Sequence, residues 1–149
     1  MTVSFELKNR VSELETLSKR VEAFGREFGL SDKCVFQINL ALDELFTNAV
    51  SYGFSDDDTY RIEFILSLEG DTVIVRMEDR GKAFDPACIE TPDMGKTVET
   101  CDIGGLGLHI TRQMVDDMQY VRSGGKNIIT LRKHIEEDEW KSGKANKTT

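Results

Sequence analysis

The sequence predicts an α+β fold in a single domain, and three observations carry that prediction. The chain has 149 residues, which is an ordinary size for one domain with one hydrophobic core. Apolar residues alternate with polar ones in some segments and recur at three- and four-residue steps in others, so both strands and helices are expected. Hydrophobic residues make up 39% of the chain and charged residues 31%, as in a typical globular protein.

The first two elements are a strand and an amphipathic helix. Apolar and polar residues alternate over residues 2–8, which predicts a strand. Ser12 followed by Glu15 matches a capping box, and Gly29 is a natural helix end, so a helix is expected over residues 12–28. Its apolar positions have helical spacing: Leu14, Leu17, Val21, Phe24 and Phe28.

A second helix is expected from the N-cap candidate Ser31 to about Tyr52. Its apolar stripe consists of Val35, Ile38, Leu42, Leu45 and Ala49. Another face carries Glu44 and Asn48 between core-facing neighbours, so we expect both side chains to be partly buried. The acidic run that ends at Asp58 predicts an exposed loop.

A β-hairpin should follow, because two alternating segments around Phe64 and Val75 flank the turn Glu69-Gly70-Asp71. The second strand ends at Glu78-Asp79, which puts Asp79 at a strand terminus. Residues 82–103 have no sustained periodicity and contain both prolines of the chain. Such a long irregular segment is typical of a functional lid or a disordered loop.

A third helix is expected to begin in the glycines of residues 104–107. Two last strands, over residues 118–123 and 127–134, flank a Gly124-Gly125 turn. The pattern stops there, so we assign the domain to residues 1–135.

Residues 136–149 are polar apart from Trp140 and are expected to be a disordered tail. The N-terminus has neither a basic segment nor an apolar one typical of a secretory signal, and no apolar run reaches the length of a bilayer span. A cytoplasmic protein, not a membrane protein, is the expectation.

The net charge of −8 and the isoelectric point near 4.8 argue against a direct nucleic-acid or anionic-membrane surface, since both require a basic patch. An acidic protein that binds a polyphosphate must do so locally, through backbone N–H groups, a helix dipole and a bound cation. The odd number of cysteines argues against a disulfide framework. A zinc site from Cys88, Cys101 and His109 would lack the usual paired-ligand spacing.

Glu44 and Asn48 form the first of three patches that suggest chemistry. They lie four residues apart on one helix, so both project from the same face about one turn apart. An amide oxygen is a hard ligand that suits Mg²⁺, and a neighbouring carboxylate can accept a proton. Glu44 is therefore the candidate base and Asn48 the candidate metal ligand, although the same spacing also occurs on ordinary solvated helix faces.

The second patch is Asp79-Arg80-Gly81 at a strand end, and the third is the helix start Gly104-Gly105-Leu106-Gly107-Leu108. Glycines at a helix N-terminus leave backbone N–H groups free to face phosphates. Taken singly, the second patch fits an ordinary turn and the third a plain loop before a helix.

Together and in this order, the three patches resemble the N, G1 and G2 boxes of the GHKL (Bergerat-fold) ATPases, most of all the bacterial anti-sigma-factor serine kinases. The resemblance runs from about Phe5 to Arg132, nearly the whole chain. It implies a two-layer α+β sandwich with helices on one face of a mixed, mainly antiparallel sheet. The domain would then be a histidine-kinase-like ATPase domain with the nucleotide between the helices and a mobile lid.

The resemblance also implies roles for single residues. Asp79 would accept a hydrogen bond from the adenine amino group, and Gly81 would let the backbone approach the base. The helix start Gly104-Gly105-Leu106-Gly107-Leu108 would bind the phosphates, and Thr130 would support the adenine-binding aspartate. Lys82, Lys96 and Arg112 all remain open as cationic partners of the γ-phosphate.

The function implied by the resemblance is that of an ATP/ADP- and Mg²⁺-binding anti-sigma factor and protein serine/threonine kinase. Its partners would be a sigma factor and an anti-anti-sigma protein of the STAS type, with homodimer formation left open. The alternative is a module whose nucleotide site controls partner binding without phosphotransfer. The catalytic half of a sensor histidine kinase is disfavoured, because the sequence shows no upstream helical hairpin with a phosphoaccepting histidine.

Overall fold

The fold was analysed in a computed structural model that describes residues 2–83 and 111–141. The helices are α1 (Leu14–Phe28) and α2 (Asp32–Tyr52). The strands are β1 (Thr2–Lys8), β2 (Arg61–Glu69), β3 (Thr72–Asp79), β4 (Asp117–Ser123) and β5 (Lys126–His134). Residues 111–114 are helical as well, within the expected third helix, whose glycine-rich start lies outside the described residues.

The five strands form one sheet in the order β1-β2-β3-β5-β4. Every neighbouring pair of these strands is antiparallel, so the described sheet is fully antiparallel where a mixed one was expected. The central strand is β3, and its register with β5 places Asp79 opposite Asn127. The α+β fold class predicted from the sequence is confirmed.

Both helices cover the same face of the sheet. Alternate residues of β3 are buried on that face, among them Val73, Val75 and Met77. On α2 the ring of Phe46 lies 6.0 Å from the ring of Phe64 on β2, which in turn stacks on the Phe5 ring at 5.2 Å. This aromatic row fixes α2 above the centre of the sheet, and burial of each such side chain stabilises the fold by about 2 kcal/mol.

The two predicted helix caps have different outcomes. Ser31 caps α2 as expected, because its Oγ accepts a hydrogen bond from the Cys34 N–H at 3.2 Å. The Ser12 cap is wrong: α1 begins at Leu14 after a 3₁₀ turn, and no side-chain cap bond is made at its start. The carboxylate of Glu13 instead accepts a hydrogen bond from the Lys8 N–H at 2.9 Å and joins the turn to β1.

The chain after β5 differs from the disordered tail expected from residue 136, because residues 136–141 pack against the α1–α2 connection. Ile135 is buried, and Trp140 forms an isolated antiparallel bridge with Leu30. Two backbone hydrogen bonds flank this bridge, each of 2.7 Å: Ser31 N–H to Glu139 O and Lys141 N–H to Gly29 O. The segment is polar in sequence, but these two backbone hydrogen bonds attach it to the connection between the helices. Within the described part of the chain, neither helix has the length and apolar content required to span a bilayer.

We predict that Glu139→Ala lowers the free energy of unfolding by about 3 kcal/mol, since the carboxylate is nearly buried and its loss leaves a lysine charge without its partner. The side chains of Lys133 and Glu139 are 11% and 7% exposed and lie 3.4 Å apart. Glu139 also accepts a hydrogen bond from the Glu136 N–H at 2.9 Å. Urea denaturation of the parent and the variant measures the change.

Glu137→Ala is the matched control, because Glu137 is exposed in the same 3₁₀ turn and its loss should change stability by less than about 0.5 kcal/mol. Equal stability of the two variants would contradict the docking of residues 136–141 on the domain.

Candidate functional site

Asp79 is a buried carboxylate at the end of a central strand. It is the last residue of β3 and is only 5% exposed. Its Oδ1 accepts hydrogen bonds from the Gly81 N–H at 2.8 Å and from Asn127 Nδ2 at 3.0 Å. Burial raises the pKa of Asp79, while these two donors and the nearby Arg122 guanidinium act in the opposite direction. The ionised form of this carboxyl group is therefore stabilised by the hydrogen bonds from Gly81 and Asn127.

Gly81 is a close-approach position between the loop after β3 and the end of α2. A Cβ on Gly81 would lie 2.6 Å from the backbone oxygen of Gly53 and 3.0 Å from Asp79 Oδ1. The next residue, Lys82, donates its N–H to the same Gly53 oxygen at 2.7 Å. Only glycine fits between these groups. The structure thus requires Gly81 for the contact with Gly53, whereas its expected approach to the adenine base stays a prediction.

Asn127 on β5 is the polar residue that holds this loop, and the sequence analysis missed it. Its Nδ2 donates to the Lys82 carbonyl at 2.7 Å and lies 3.4 Å from the Gly81 carbonyl, in addition to its bond with Asp79. It is 3% exposed. The available signal was its position in the strand, because Asn127 lies on the same face as Ile129 and Leu131, which the structure shows to be buried on the helix-facing side.

Two residues of β4 hold the other end of the Asn127 amide. Asn127 Oδ1 accepts hydrogen bonds from the Tyr120 hydroxyl at 2.7 Å and from Arg122 Nη1 at 3.1 Å. Arg122 Nη1 also donates to the Gly81 carbonyl at 2.7 Å. Side chains therefore join strands β3, β4 and β5 at the point where the loop leaves the sheet, and no single motif of the sequence indicates this link.

Thr130 does not support Asp79 in this structure, which corrects the assignment implied by the family resemblance. Thr130 pairs with Arg76 in the β3–β5 register, whereas Asp79 pairs with Asn127. Residues 127 and 130 are separated by an odd number of positions, so their side chains point to opposite faces of the sheet. The supporting role falls to Asn127 because that residue is in register and on the buried face.

A pocket lies between α2 and the sheet beside these residues. Between the described residues it has room for little more than one water molecule, and it is lined by polar and apolar groups from four parts of the fold. The lining residues are Leu45, Asn48, Ala49, Gly53, Met77, Asp79, Lys82, Asn127 and Ile129. Apolar walls with a few convergent polar groups are typical of a small-molecule site. The predicted residues Asn48 and Asp79 thus share one pocket.

Asn48 and Glu44 occupy adjacent turns of α2 but differ in burial. Asn48 is 4% exposed, and its Nδ2 has no hydrogen-bond partner in the described part of the chain. Glu44 is half-buried. The neighbouring Asp43, which the sequence analysis did not consider, has a raised pKa because of its burial and the negative charge of Glu44. This stretch of α2 therefore carries two carboxyl groups in a partly dehydrated environment.

Several predicted site residues lie outside the described residues. These are Gly104, Gly105, Leu106, Gly107 and Leu108, the proposed phosphate-binding helix start. The loop over residues 82–103 is described only at Lys82 and Ala83, and Cys88, Lys96, Cys101 and His109 are also outside. Lys82 is exposed at its side chain, and Arg122, on the far side of the loop, contacts the Gly81 carbonyl.

Comparison with known families decides the assignment of the domain. The family described as histidine kinase-like ATPase domain matches residues 7–133, from β1 through β5. The chain belongs to this family. Residues of the ATPase domain that form the pocket all fall inside the matched range.

Two curated relatives of the ATPase domain are named as protein kinases. The serine/threonine-protein kinase BtrW of Bordetella bronchiseptica is 29% identical over 99 residues, which cover 66% of this chain and 70% of that protein. The serine-protein kinase RsbW of Listeria monocytogenes is 28% identical over 116 residues, which cover 73% of this chain and 71% of that protein. The resemblance to bacterial serine kinases read from the sequence is confirmed.

A solved structure shares the fold of the ATPase domain. The crystal structure of the RsbU and RsbW domains of Rv1364c from Mycobacterium tuberculosis matches 90% of this chain with a TM-score of 0.66 and 19% sequence identity. The match covers 32% of that longer chain, so this chain corresponds to about a third of it. At this identity the match shows the fold and nothing finer.

We predict that Gly81→Ala weakens nucleotide binding to the ATPase domain by about tenfold or more, equivalent to about 1.4 kcal/mol. The added methyl group would displace either the end of α2 or Asp79, and both line the pocket. Isothermal titration calorimetry with Mg-ATP measures the affinity.

Gly70→Ala is the control for general strain. Gly70 has a φ of 63° in the β2–β3 turn, at the opposite end of β3 from Asp79, and a Cβ there meets no atom within 4 Å. This variant should lose about 1 kcal/mol of stability and bind nucleotide like the parent. Equal losses of affinity in both variants would show that the close contact at Gly81 has no special role.

Proposed function

We propose that this chain is a cytoplasmic, ATP-binding anti-sigma factor and protein serine/threonine kinase that phosphorylates an anti-anti-sigma partner of the STAS type. The observation that carries the proposal is the buried Asp79 carboxylate, held by fixed donors in the wall of a pocket that also contains Asn48. The kinase names of two relatives and the family assignment support it.

At the base end of the pocket, Asp79 would accept a hydrogen bond from the exocyclic amino group of adenine. A carboxylate offers about four acceptor positions on its two oxygens, so two internal donors leave capacity for a ligand donor. The apolar residues Leu45, Met77 and Ile129 line the same pocket and would cover the faces of the base. Because Gly81 has no side chain, its backbone can pack closely against both Asp79 and the Gly53 carbonyl at the edge of the pocket.

Asn48 fits the role of Mg²⁺ ligand. Its amide is buried in the pocket wall, and its Nδ2, which has no partner among the described residues, is a donor that an oxygen of a bound ligand would satisfy. The amide oxygen would hold the ion, which prefers oxygen ligands and retains several waters. When bound, Mg²⁺ would neutralise charge on the phosphates.

Glu44 would serve as the general base. One turn before Asn48 on α2, its half-buried carboxylate would accept the proton of the attacking serine hydroxyl. The serine oxygen forms a bond to the γ-phosphorus as the bond from that phosphorus to the bridging oxygen breaks, and ADP leaves. Phosphoryl transfer needs little covalent chemistry from the protein, so positioning and charge stabilisation would supply most of the rate.

The partners are proposed from the family resemblance. The acceptor would be a serine of an anti-anti-sigma protein, and the sequestered partner would be a sigma factor, with homodimer formation as a further possibility to measure. Incubation of the protein with γ-labelled Mg-ATP and candidate acceptors tests the activity. Label on serine supports the kinase; no label, together with a partner affinity that depends on nucleotide, would favour the binding module instead.

We predict that Asp79→Asn weakens ATP binding by about 1–3 kcal/mol, because the new amide aims a donor at the adenine amino group and leaves one polar group unpaired. Calorimetry with Mg-ATP measures the loss. Glu69→Gln is the control, since Glu69 is exposed at the end of β2, beside the β2–β3 turn and away from the pocket, and this variant should bind like the parent. An Asp79→Asn protein with parental affinity would disprove the adenine role of Asp79.

We predict that Glu44→Gln leaves nucleotide affinity near the parental value and lowers phosphotransfer by about 10²–10⁴-fold, the usual contribution of a positioned base. The substitution keeps the size of the side chain and removes its basicity. Single-turnover transfer to the acceptor and calorimetry separate the two effects.

Two further variants serve as controls for Glu44→Gln, one expected to change neither measurement and one expected to weaken binding. Glu27→Gln changes an exposed carboxylate on α1 and should alter neither measurement. Asn48→Ala should damage Mg²⁺-dependent nucleotide binding itself. A Glu44→Gln protein that transfers phosphate at the parental rate would show that Glu44 is only a polar residue of the helix face.

A further inference from the structure

The orientation of the Asn127 amide is determined by its neighbours. An asparagine amide can usually be turned end for end, since its nitrogen and oxygen look alike. Here Arg122, which can only donate, lies 3.1 Å from one end of the amide, so that end must be the oxygen. The carbonyl of Lys82, which can only accept, lies 2.7 Å from the other end, so that end must be the nitrogen. The amide therefore presents a donor to Asp79 and cannot reverse without losing both bonds.

We propose that Asn127, held in this orientation by Tyr120 and Arg122, is a positioning residue that keeps Asp79 an acceptor and thereby makes the pocket selective for a 6-aminopurine. The inference rests on the proposed adenine role of Asp79 and adds the group that controls it. Asn127 acts through Asp79 and needs no contact with the ligand.

The physical reason is the burial of the carboxylate. In a buried position the neutral acid is favoured, and a protonated Asp79 would offer an O–H donor where the adenine amino group also donates. Two donors facing each other lose the bond, whereas a base with an oxygen at the same position would gain one. A donor locked onto Asp79 Oδ1 favours the ionised, accepting form. Removal of Asn127 should therefore change both the preference for the 6-amino group and the pH at which it is lost.

Other charged groups near Asp79 come from three directions. Arg122 approaches from β4, and Lys82 belongs to the loop that lines the pocket. On the side of Asp79 away from α2, a second hollow in the sheet surface brings further charged side chains close: Glu6, Arg61, Glu63, Glu78, Arg80 and Lys126. Glu78 is already paired with Arg76 and Lys126. The residues that line the pocket from α2 are uncharged, so no carboxylate of that helix lines the pocket beside Asp79.

The test compares two ligands, Mg-ATP and the Mg-triphosphate of purine riboside, which lacks the 6-amino group. Both carry the same phosphates, so the ratio of their affinities isolates the base and cancels the titration of the phosphate groups. Calorimetry from acidic to neutral pH gives this ratio for the parent and for Asn127→Ala. The parent should prefer ATP, and the variant should lose about tenfold or more of that preference, the usual effect of one hydrogen bond to a charged group. Its remaining preference should disappear at a higher pH than in the parent.

Three more variants distinguish positioning from general damage. Asn127→Thr retains a donor hydroxyl and should recover part of the preference. Tyr120→Phe removes one of the two groups that hold the amide oxygen and should shift the pH profile in the same direction by a smaller amount. Gln119→Ala, an exposed position on the same strand, should behave like the parent. Tyr120→Phe also keeps the test decisive if Asn127→Ala fails to fold.

The outcomes separate the inference from the proposed function. A parent protein without preference for ATP over the purine riboside nucleotide would disprove the adenine role of Asp79 itself. A parent with that preference, and an Asn127→Ala variant with the same ratio and pH profile, would overturn the role of Asn127 alone. An equal loss of affinity for both ligands with an unchanged ratio would also overturn it, because a purely structural role predicts that result.

Discussion

The hydrogen bond between Asn127 and Asp79 is the contact on which the pocket depends. It joins two residues that face each other in the β3–β5 register, at 3.0 Å, and the same amide donates to the loop that follows β3. A slip of one residue in this pairing would bring Ile128 opposite Asp79 and turn the polar side chain of β5 to the other face. The buried residues that alternate along both strands oppose such a slip, so the hydrophobic pattern of the sheet also fixes the polar wall of the site.

The opposite wall comes from α2, which is positioned by aromatic packing and by backbone contacts at its end. Phe46 packs against Phe64 and sets the height of the helix above the sheet. The carbonyl of Gly53, just past the helix, accepts the Lys82 N–H and lies against Gly81. The helix end and the loop therefore cannot move independently. Polar residues such as Asn48 are buried on this helix because the face that carries them looks into the pocket.

The sequence predicted the strands, α2 with its Ser31 cap and the pocket residues Asp79 and Asn48, because alternation, helical spacing and cap chemistry are local properties. It failed where the deciding partner is distant in sequence. The family resemblance implied that Thr130 supports Asp79. The strand register instead places Asn127 opposite Asp79, and the Asn127 amide contacts Asp79 and two loop carbonyls. Trp140 is likewise held by Leu30, more than a hundred positions earlier in the chain. From composition alone, residues 136–141 would be expected to be exposed to solvent.

The chain has a net charge of −8, so a further carboxylate in a pocket for an anionic ligand is electrostatically unfavourable. The proposed site therefore needs different groups for recognition of the base and for neutralisation of the phosphates. In the proposed function, Asp79 would contact the base and not the phosphates, so it would contribute selectivity as a hydrogen-bond acceptor, while backbone N–H groups and a cation would neutralise the phosphate charge. In the protein without ligand, the buried carboxylate of Asp79 reduces folding stability. Burial raises the pKa of Asp79 above the ordinary value of 3.8, so the folded state binds this proton more tightly than the unfolded state does. Asp79 therefore lowers the free energy of unfolding as the pH rises from the unfolded-state pKa through the higher folded-state pKa. A ligand donor that satisfies the ionised carboxylate removes part of this penalty. If Asp79 binds the base as proposed, base recognition and folding stability are coupled through this one buried acid, and the coupling favours a ligand that donates a hydrogen bond over one that accepts it.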